Sequence, residues 1–412
     1  MFKMCSAKEG RPRLIEYTLM KFVLLVLLLT ALGCNQQTSE MAQMSAGRWG
    51  HSSTLLEDGR VLVVGGKEKP YGSIGSAEIF DPKTASWLSA GNTLTPRGDG
   101  HTATLLNNGK VLITGGSQNN SSELYDPSQN SWSYTGNMNQ PRKWASANLL
   151  EDGRVLVAGG DNSSKTGSTK LSSSEIYNPS QEIWIPTKPM NYAHSGHSTT
   201  LINGQLLLVG RDDAELFDPS SETWSPAGKP VRARNTGSTA TTMSNGKVLI
   251  TGGEWLQGGF LQGNKSQGLY TAGSIGTGTG NDGGKHPKIH MPIIIPIPDV
   301  DLYDPDKGKW EATNPMSEAR RHHVAIPLDD GRIIIVGSNK IEAFDPDTSK
   351  WSQIGRLIHD HGESYTATLL QNGNLLVIGG KLETEKGDRG SVEYPISALS
   401  SASTELFEIL NK

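Results

Sequence analysis

The sequence predicts an all-β protein: a seven-bladed β-propeller closed by an N-terminal strand that completes the last blade. Three observations carry this reading. An Asx-Gly pair, a β-branched run and a glycine exit recur seven times, at 57–66, 107–116, 151–160, 202–211, 244–253, 329–338 and 371–380. An acidic-apolar-aromatic stretch follows each copy, as EIFDP (78–82), ELYDP (123–127), EIYNP (175–179), ELFDP (215–219), DLYDP (301–305), EAFDP (342–346) and ELFEI (405–409). In six copies a tryptophan stands five residues after the proline, at 87, 132, 184, 224, 310 and 351. Repetition at this period means a solenoid or a propeller.

Each copy reads as four strands. The first is a short apolar stretch such as HSSTLL (51–56). Asp58-Gly59, Asn108-Gly109 and their five counterparts then supply the positive φ angles of a tight hairpin. The second strand, as at Val61–Val64, is apolar without alternation, the pattern of a strand buried on both faces. Its glycines fit a crowded exit. The third strand is the EIF or ELY segment, stopped by Asp-Pro turn chemistry, and the fourth begins near the tryptophan. Four antiparallel strands repeated seven times close into a propeller.

The spacing between the glycine pairs at 252 and 337 leaves room for an eighth blade. Residues 254–299 contain no Asx-Gly-apolar run, however, and HPKIHMPIIIPIPD (286–299) is too rich in proline for central strands. They are expected to be an insertion, whose Gly-rich part (270–286) is either a lid or a disordered segment. The seventh copy lacks a tryptophan strand. Met138, Met190 and Met316 each precede a basic residue by four, and Met44 precedes Arg48 in the same register. Residues about 38–45 are therefore expected to supply the missing outer strand and hide an open edge.

The N-terminus reads as an address. MKFVLLVLLLTALGC (20–34) has a basic start, an apolar core and small residues near its end, as a secretory signal does. The expectation is a signal peptide over 1–33 with Met20 as the true start, a tether over 34–39, and a propeller over 40–412. Cys34 after Gly33 resembles the lipobox of bacterial lipoproteins, which implies acylation at Cys34, attachment to the membrane through an N-terminal lipid, and an outer-membrane lipoprotein in the cell envelope. The other cysteine, Cys5, precedes the expected start, so the mature domain has no thiol for a disulfide. Net charge is −4 and 19% of residues are charged, which disfavours nucleic acid as a partner.

The double glycine, the aromatic before Asp-Pro and the spaced tryptophan together resemble kelch repeats, in the form seen in galactose-oxidase-like propellers. The resemblance covers residues 40–412. It implies a kelch-type propeller and raises two enzymatic possibilities. A copper site of that family needs a Tyr crosslinked to a Cys, which the mature chain cannot assemble. A sialic-acid-epimerase-like activity would suit a cationic mouth, although no acid–base pair stands out and the His359–His361 pair is weak by itself.

Aligning the copies exposes two columns. A basic residue follows each tryptophan by ten: Arg97, Arg142, His194, Arg234, Arg320 and His361, with Arg48 in the matching place of blade one. Seven acids open the third strands: Glu78, Glu123, Glu175, Glu215, Asp301, Glu342 and Glu405. Equal numbers point to one internal ion pair per blade rather than a ligand-binding ring. The second column reads His51, His101, Ala145, His197, Ser238, His323 and Tyr365. Its histidines are expected to be structural hydrogen-bonders, and neither a metal nor a cofactor is expected.

Function is expected where a blade departs from the pattern. Arg211 and Ser338 replace glycines, Trp49, Trp144 and Trp255 fall outside the tryptophan column, and Arg321 and His322 add cations to blade six. With Tyr365, these residues (Ser338 excepted) form the candidate ligand site, because Trp and Arg are enriched at binding hot spots. The expected function is non-enzymatic binding of a protein or glycan ligand on the loop-rich face.

Overall fold

The computed structural model describes residues 39–69, 72–164, 167–257, 293–337, 339–382 and 399–409. The signal segment, Cys5, Cys34, Ser338 and residues 258–292 of the insertion lie outside these ranges, as do 383–398 of the last long loop. The described residues contain strands and no helix. They form seven antiparallel four-stranded sheets, with a fifth strand added to the sheet of blade one.

Blade two shows the plan. His101–Leu105 pairs with Val111–Gly115, that strand with Ser122–Asp126, and that in turn with Ser131–Tyr134. The second strands form the core. Val61, Leu62, Val63 and Val64 are all fully buried, and so are Ile333 to Val336 in blade six. Burying each such side chain stabilises the fold by roughly 1.5–3 kcal/mol, which is why these runs do not alternate. Gly65 and Gly66 leave blade one with φ of 63° and 90°. A Cβ on Gly65 would lie 2.5 Å from the Arg97 carbonyl, so no larger residue fits this exit.

The tryptophans staple neighbouring blades. Each packs on the aromatic of its own third strand, from Phe80–Trp87 at 5.3 Å between centroids to Tyr303–Trp310 at 4.8 Å. Each indole N–H then reaches back to the preceding blade: Trp132 donates to the Ala90 carbonyl, Trp184 to Gly136 and Trp351 to Asn314.

Blade seven is closed by the chain's own start. Ser39–Glu40 pairs with Thr404–Glu408, and the amides of Met41 and Met44 continue the contact to the carbonyls of Thr404 and Ala402. Pairing begins at Ser39, one residue inside the stretch expected as tether. The described residues of the blade-five insertion form no further blade. Glu254–Gln257 and Ile293–Pro296 make a two-stranded ribbon, and Val300–Asp304 follows as the third strand. Similar ribbons leave blade three (Asp161–Ser164 with Gly167–Lys170) and blade seven (Lys381–Leu382 with Leu399–Ser400). Blade four crosses between its second and third strands in only four residues, 210–213. The loop-rich face therefore has high and low sectors.

Candidate functional site

The seven basic residues each meet the acid of their own blade. Arg48 Nη2 lies 2.6 Å from Glu78, Arg97 2.5 Å from Glu123, and Arg142 2.9 Å from Glu175. Arg234 is 2.7 Å from Asp301 and Arg320 3.0 Å from Glu342. The histidines of blades four and seven fill the same place, His194 at 3.2 Å from Glu215 and His361 at 3.1 Å from Glu405. All fourteen side chains are buried. Backbone amides of the preceding outer segment complete the acids, as when Leu94 and Thr95 donate to Glu123. Burial pushes the Glu405 carboxyl up, but bonds from His361, Ile358 and His359 outweigh it and hold the group below the usual carboxylate range. A buried charge that loses its partner is costly, so these pairs hold the blades in place. They are not open to a ligand.

The histidine column is also internal. His51 Nε2 is hydrogen-bonded to Thr366, His101 to Ser52, His197 to Ser146 and His323 to Thr239, each across to the first strand of the preceding blade. Tyr365 completes the series. It is 5% exposed, packs in the core of blade seven, and donates its hydroxyl to the Val336 carbonyl. The sequence put Tyr365 among the ligand-binding candidates; its burial takes its side chain away from any ligand on the surface.

One or two residues before each first strand lies a residue in the left-handed region: Gly50, Gly100, Trp144, Gly196, Gly237, His322 and Ser364, with φ between 51° and 79°. Neighbouring members touch. Gly50 N–H donates to Ser364, Trp144 to Gly100, Gly196 to Trp144, and His322 to Gly237. Four glycines occupy this belt without strain, whereas a bulky residue with positive φ is an outlier. The column was readable in the sequence, since glycine precedes the first strand in four copies, but only the backbone angles give it meaning. Trp144 and His322 are the two large side chains on the belt, and Trp144 is 42% exposed.

The remaining candidates sit at separate places on the same face. The half-buried Trp49 indole lies between Lys67 Nζ at 4.9 Å and Lys381 Nζ at 5.6 Å, at the seam of blades one and seven. Trp255 is 47% exposed on the blade-five ribbon. Its neighbour Glu254 is buried and accepts from Arg321 at 2.8 Å and Thr236 at 3.1 Å, with His322 Nε2 at 3.6 Å. Arg321 also bridges to Glu363, tying blades five, six and seven together. Arg211 is exposed and contacts Asp212 at 3.4 Å. The structure thus brings Trp255, Arg321 and His322 together and leaves Trp49, Trp144 and Arg211 apart. Glu254 and Glu363, the acids that organise the cluster, had no repeat position to betray them.

Comparison with known proteins agrees with this architecture. No protein-family model matches the chain. Kelch-like protein 23 of Mus musculus is 24% identical over 217 residues, 45% of this chain and 38% of that protein. Kelch-like protein 36 of Bos taurus is 25% identical over 249 residues, 55% of this chain and 34% of that protein. A galactose oxidase of Gibberella zeae is 43% identical over 61 residues, 14% of this chain and 9% of that protein. The chain therefore spans about two fifths or less of the curated relatives it matches. A fungal alcohol oxidase of the AA5 family, solved in complex with copper, superposes with a TM-score of 0.65 at 16% identity, covering 90% of this chain and 76% of that one. YjhT superposes at 0.53 and 14% identity, covering 76% of this chain and 99% of its own.

The chain is a kelch-repeat propeller. Its described residues do not fit a copper centre like the oxidase's. No three His, Cys, Asp or Glu side chains among them converge on one point. Each column histidine is held by a hydroxyl of a different blade, and the Tyr365 hydroxyl is held by a backbone carbonyl. No step through such a centre is derived.

Proposed function

We propose that this propeller is a non-enzymatic binding module, held at the cell envelope by a lipid on Cys34, that takes a protein or glycan ligand on its loop-rich face. The single observation that supports it most is Trp144. An exposed indole occupies a left-handed position where four other blades have glycine. Such strain costs on the order of 1–3 kcal/mol and clusters at ligand clamps. Trp255, Arg211, Arg321 and His322 add aromatic and cationic groups elsewhere on the loop-rich face, suited to partner surfaces or sugar rings. The column cations are buried and internally paired, and Arg321 is paired with Glu254 and Glu363, so recognition falls first to the exposed Trp144, Trp255 and Arg211.

The test is a ligand screen by pull-down and glycan array, followed by titration with Trp144→Ala and Trp255→Ala. Either variant should weaken the captured ligand about tenfold, which corresponds to ~1.4 kcal/mol. Wild-type affinity in both removes the site. Lipid labelling of the full chain should depend on Cys34, and labelling that persists in Cys34→Ala refutes the anchor.

A further inference from the structure

The seven ion-pair positions are not filled alike. Five blades place an arginine there, with five N–H donors in a rigid fork. Arg142 uses them on the carbonyls of Gly159 and Ser173, the Ser173 hydroxyl and the Glu175 carboxylate. Blade seven has a histidine, but His361 Nδ1 still meets the Gly379 carbonyl at 2.6 Å while Nε2 meets Glu405. Blade four differs from both. His194 Nε2 reaches Glu215 at 3.2 Å, and Asp213 Oδ1 lies at 3.7 Å, beyond a hydrogen bond.

Arg211 stands where the second exit glycine belongs, and Gly210 does not adopt the left-handed angle of its counterparts Gly159 and Gly379. The short crossing that results brings Asp213 to the position of Ser173 in blade three. Asp213 Oδ1 is buried there without a hydrogen-bond partner. Burial raises its carboxyl above the usual range. An imidazole offers at most two N–H groups where an arginine offers five. Glu215 is supplied by Asn191, Tyr192 and His194, so the acceptor left without a donor in blade four is Asp213 Oδ1. A cavity of about 160 Å³ lies against His194 and Asp213, and Asp212, Arg211 and Lys170 also line it. Arg211 directs its Nε toward Asp212 rather than inward.

We propose that this blade-four cavity receives an organic cation, the guanidinium or primary amine of a bound partner, at the unpartnered carboxylate oxygen of Asp213. The cation donates to Asp213 Oδ1, which lines the cavity and has no hydrogen-bond partner, and charge-assisted bonds of this kind are the strong ones. The inference rests on the reading that the loop-rich face binds a partner, and it narrows that partner to one presenting a basic side chain.

The test is calorimetric titration of the full chain with a blocked arginine tripeptide, its citrulline counterpart and free agmatine. The arginine peptide should bind at least about tenfold tighter than citrulline, its neutral isostere. Binding should fall by the same factor in Asp213→Asn and vanish in His194→Arg, which fills the cavity with the repeat's own residue. A peptide tighter than agmatine identifies a partner's side chain, and equal affinity identifies a free amine. Trp144→Ala should leave these small probes unaffected, so failure of the binding-face reading does not mimic failure of this one. The proposal is overturned by no binding of either cation, by equal binding of citrulline, or by wild-type affinity in Asp213→Asn. Acetate binding that is lost in Arg211→Ala also overturns it, because the cavity is then an anion site.

Discussion

At the scale of single residues, burial decides which of the repeated ionisable groups still titrate. Burial pushes the histidines down, His51, His197 and His323 to about 3 and His101 to about 4. The folded state therefore refuses protons that the unfolded chain accepts near its ordinary value of 6.5. Stability is full above that value and is lost as pH falls from about 6.5 toward 4, since the unfolded state then binds more protons. Each histidine contributes a slope of about 1.4 kcal/mol per pH unit in that window. The melting temperature should fall steeply between pH 6.5 and 5, and the double substitution His51→Gln with His323→Gln should flatten the curve. A flat wild-type curve would show that these rings titrate normally. The ion-pair column was legible because seven bases and seven acids recur in equal number. The burial of Tyr365 was not legible, because its column holds buried residues such as His51 and His323 beside the partly buried Ala145 and Ser238.

At the scale of elements, the weakest join is the short N-terminal strand. Ser39–Glu40 contributes two residues, whereas the outer strands of the other blades have four or more. Its hold is extended by Met44, which is 4% exposed and packs with Val61, Val63 and Phe80 of blade one as well as Leu376 of blade seven. A chain shortened to begin at Ala46 loses this plug and leaves Thr404–Glu408 as an open edge. Burial of one methionine is worth roughly 1.5–3 kcal/mol, and an unprotected edge invites pairing with other chains. The shortened chain should melt at a lower temperature and form larger species on size exclusion. Unchanged melting and a monomeric profile would mean that blade seven closes without the strand. The Met-to-basic spacing announced this closure in the sequence. The ribbon at 161–170 did not announce itself, because DNSSKTGSTK has no apolar face whose period could be read.

At the scale of the whole molecule, each of the seven blades contributes one left-handed residue to a belt at the mouth. Glycine is the low-energy choice at all seven positions, and Gly50, Gly100, Gly196 and Gly237 take it. Ser364 departs with a small side chain, whereas Trp144 and His322 depart with large ones. A left-handed L-residue costs ~1–2 kcal/mol relative to the right-handed form, a penalty glycine escapes. Ser364→Gly should therefore raise the free energy of unfolding by about 1 kcal/mol in urea titration. Trp144→Gly relieves the same strain but removes an indole that packs over Gly100, so its stability should stay within about 1 kcal/mol of the wild type. Its ligand affinity, by contrast, should fall at least as far as that of Trp144→Ala. Stability kept with binding lost means that the strained tryptophan is retained for recognition. Loss of several kcal/mol in Trp144→Gly would instead make the indole a wedge between blades two and three, and the binding face would have to be sought around Trp255 and Arg321.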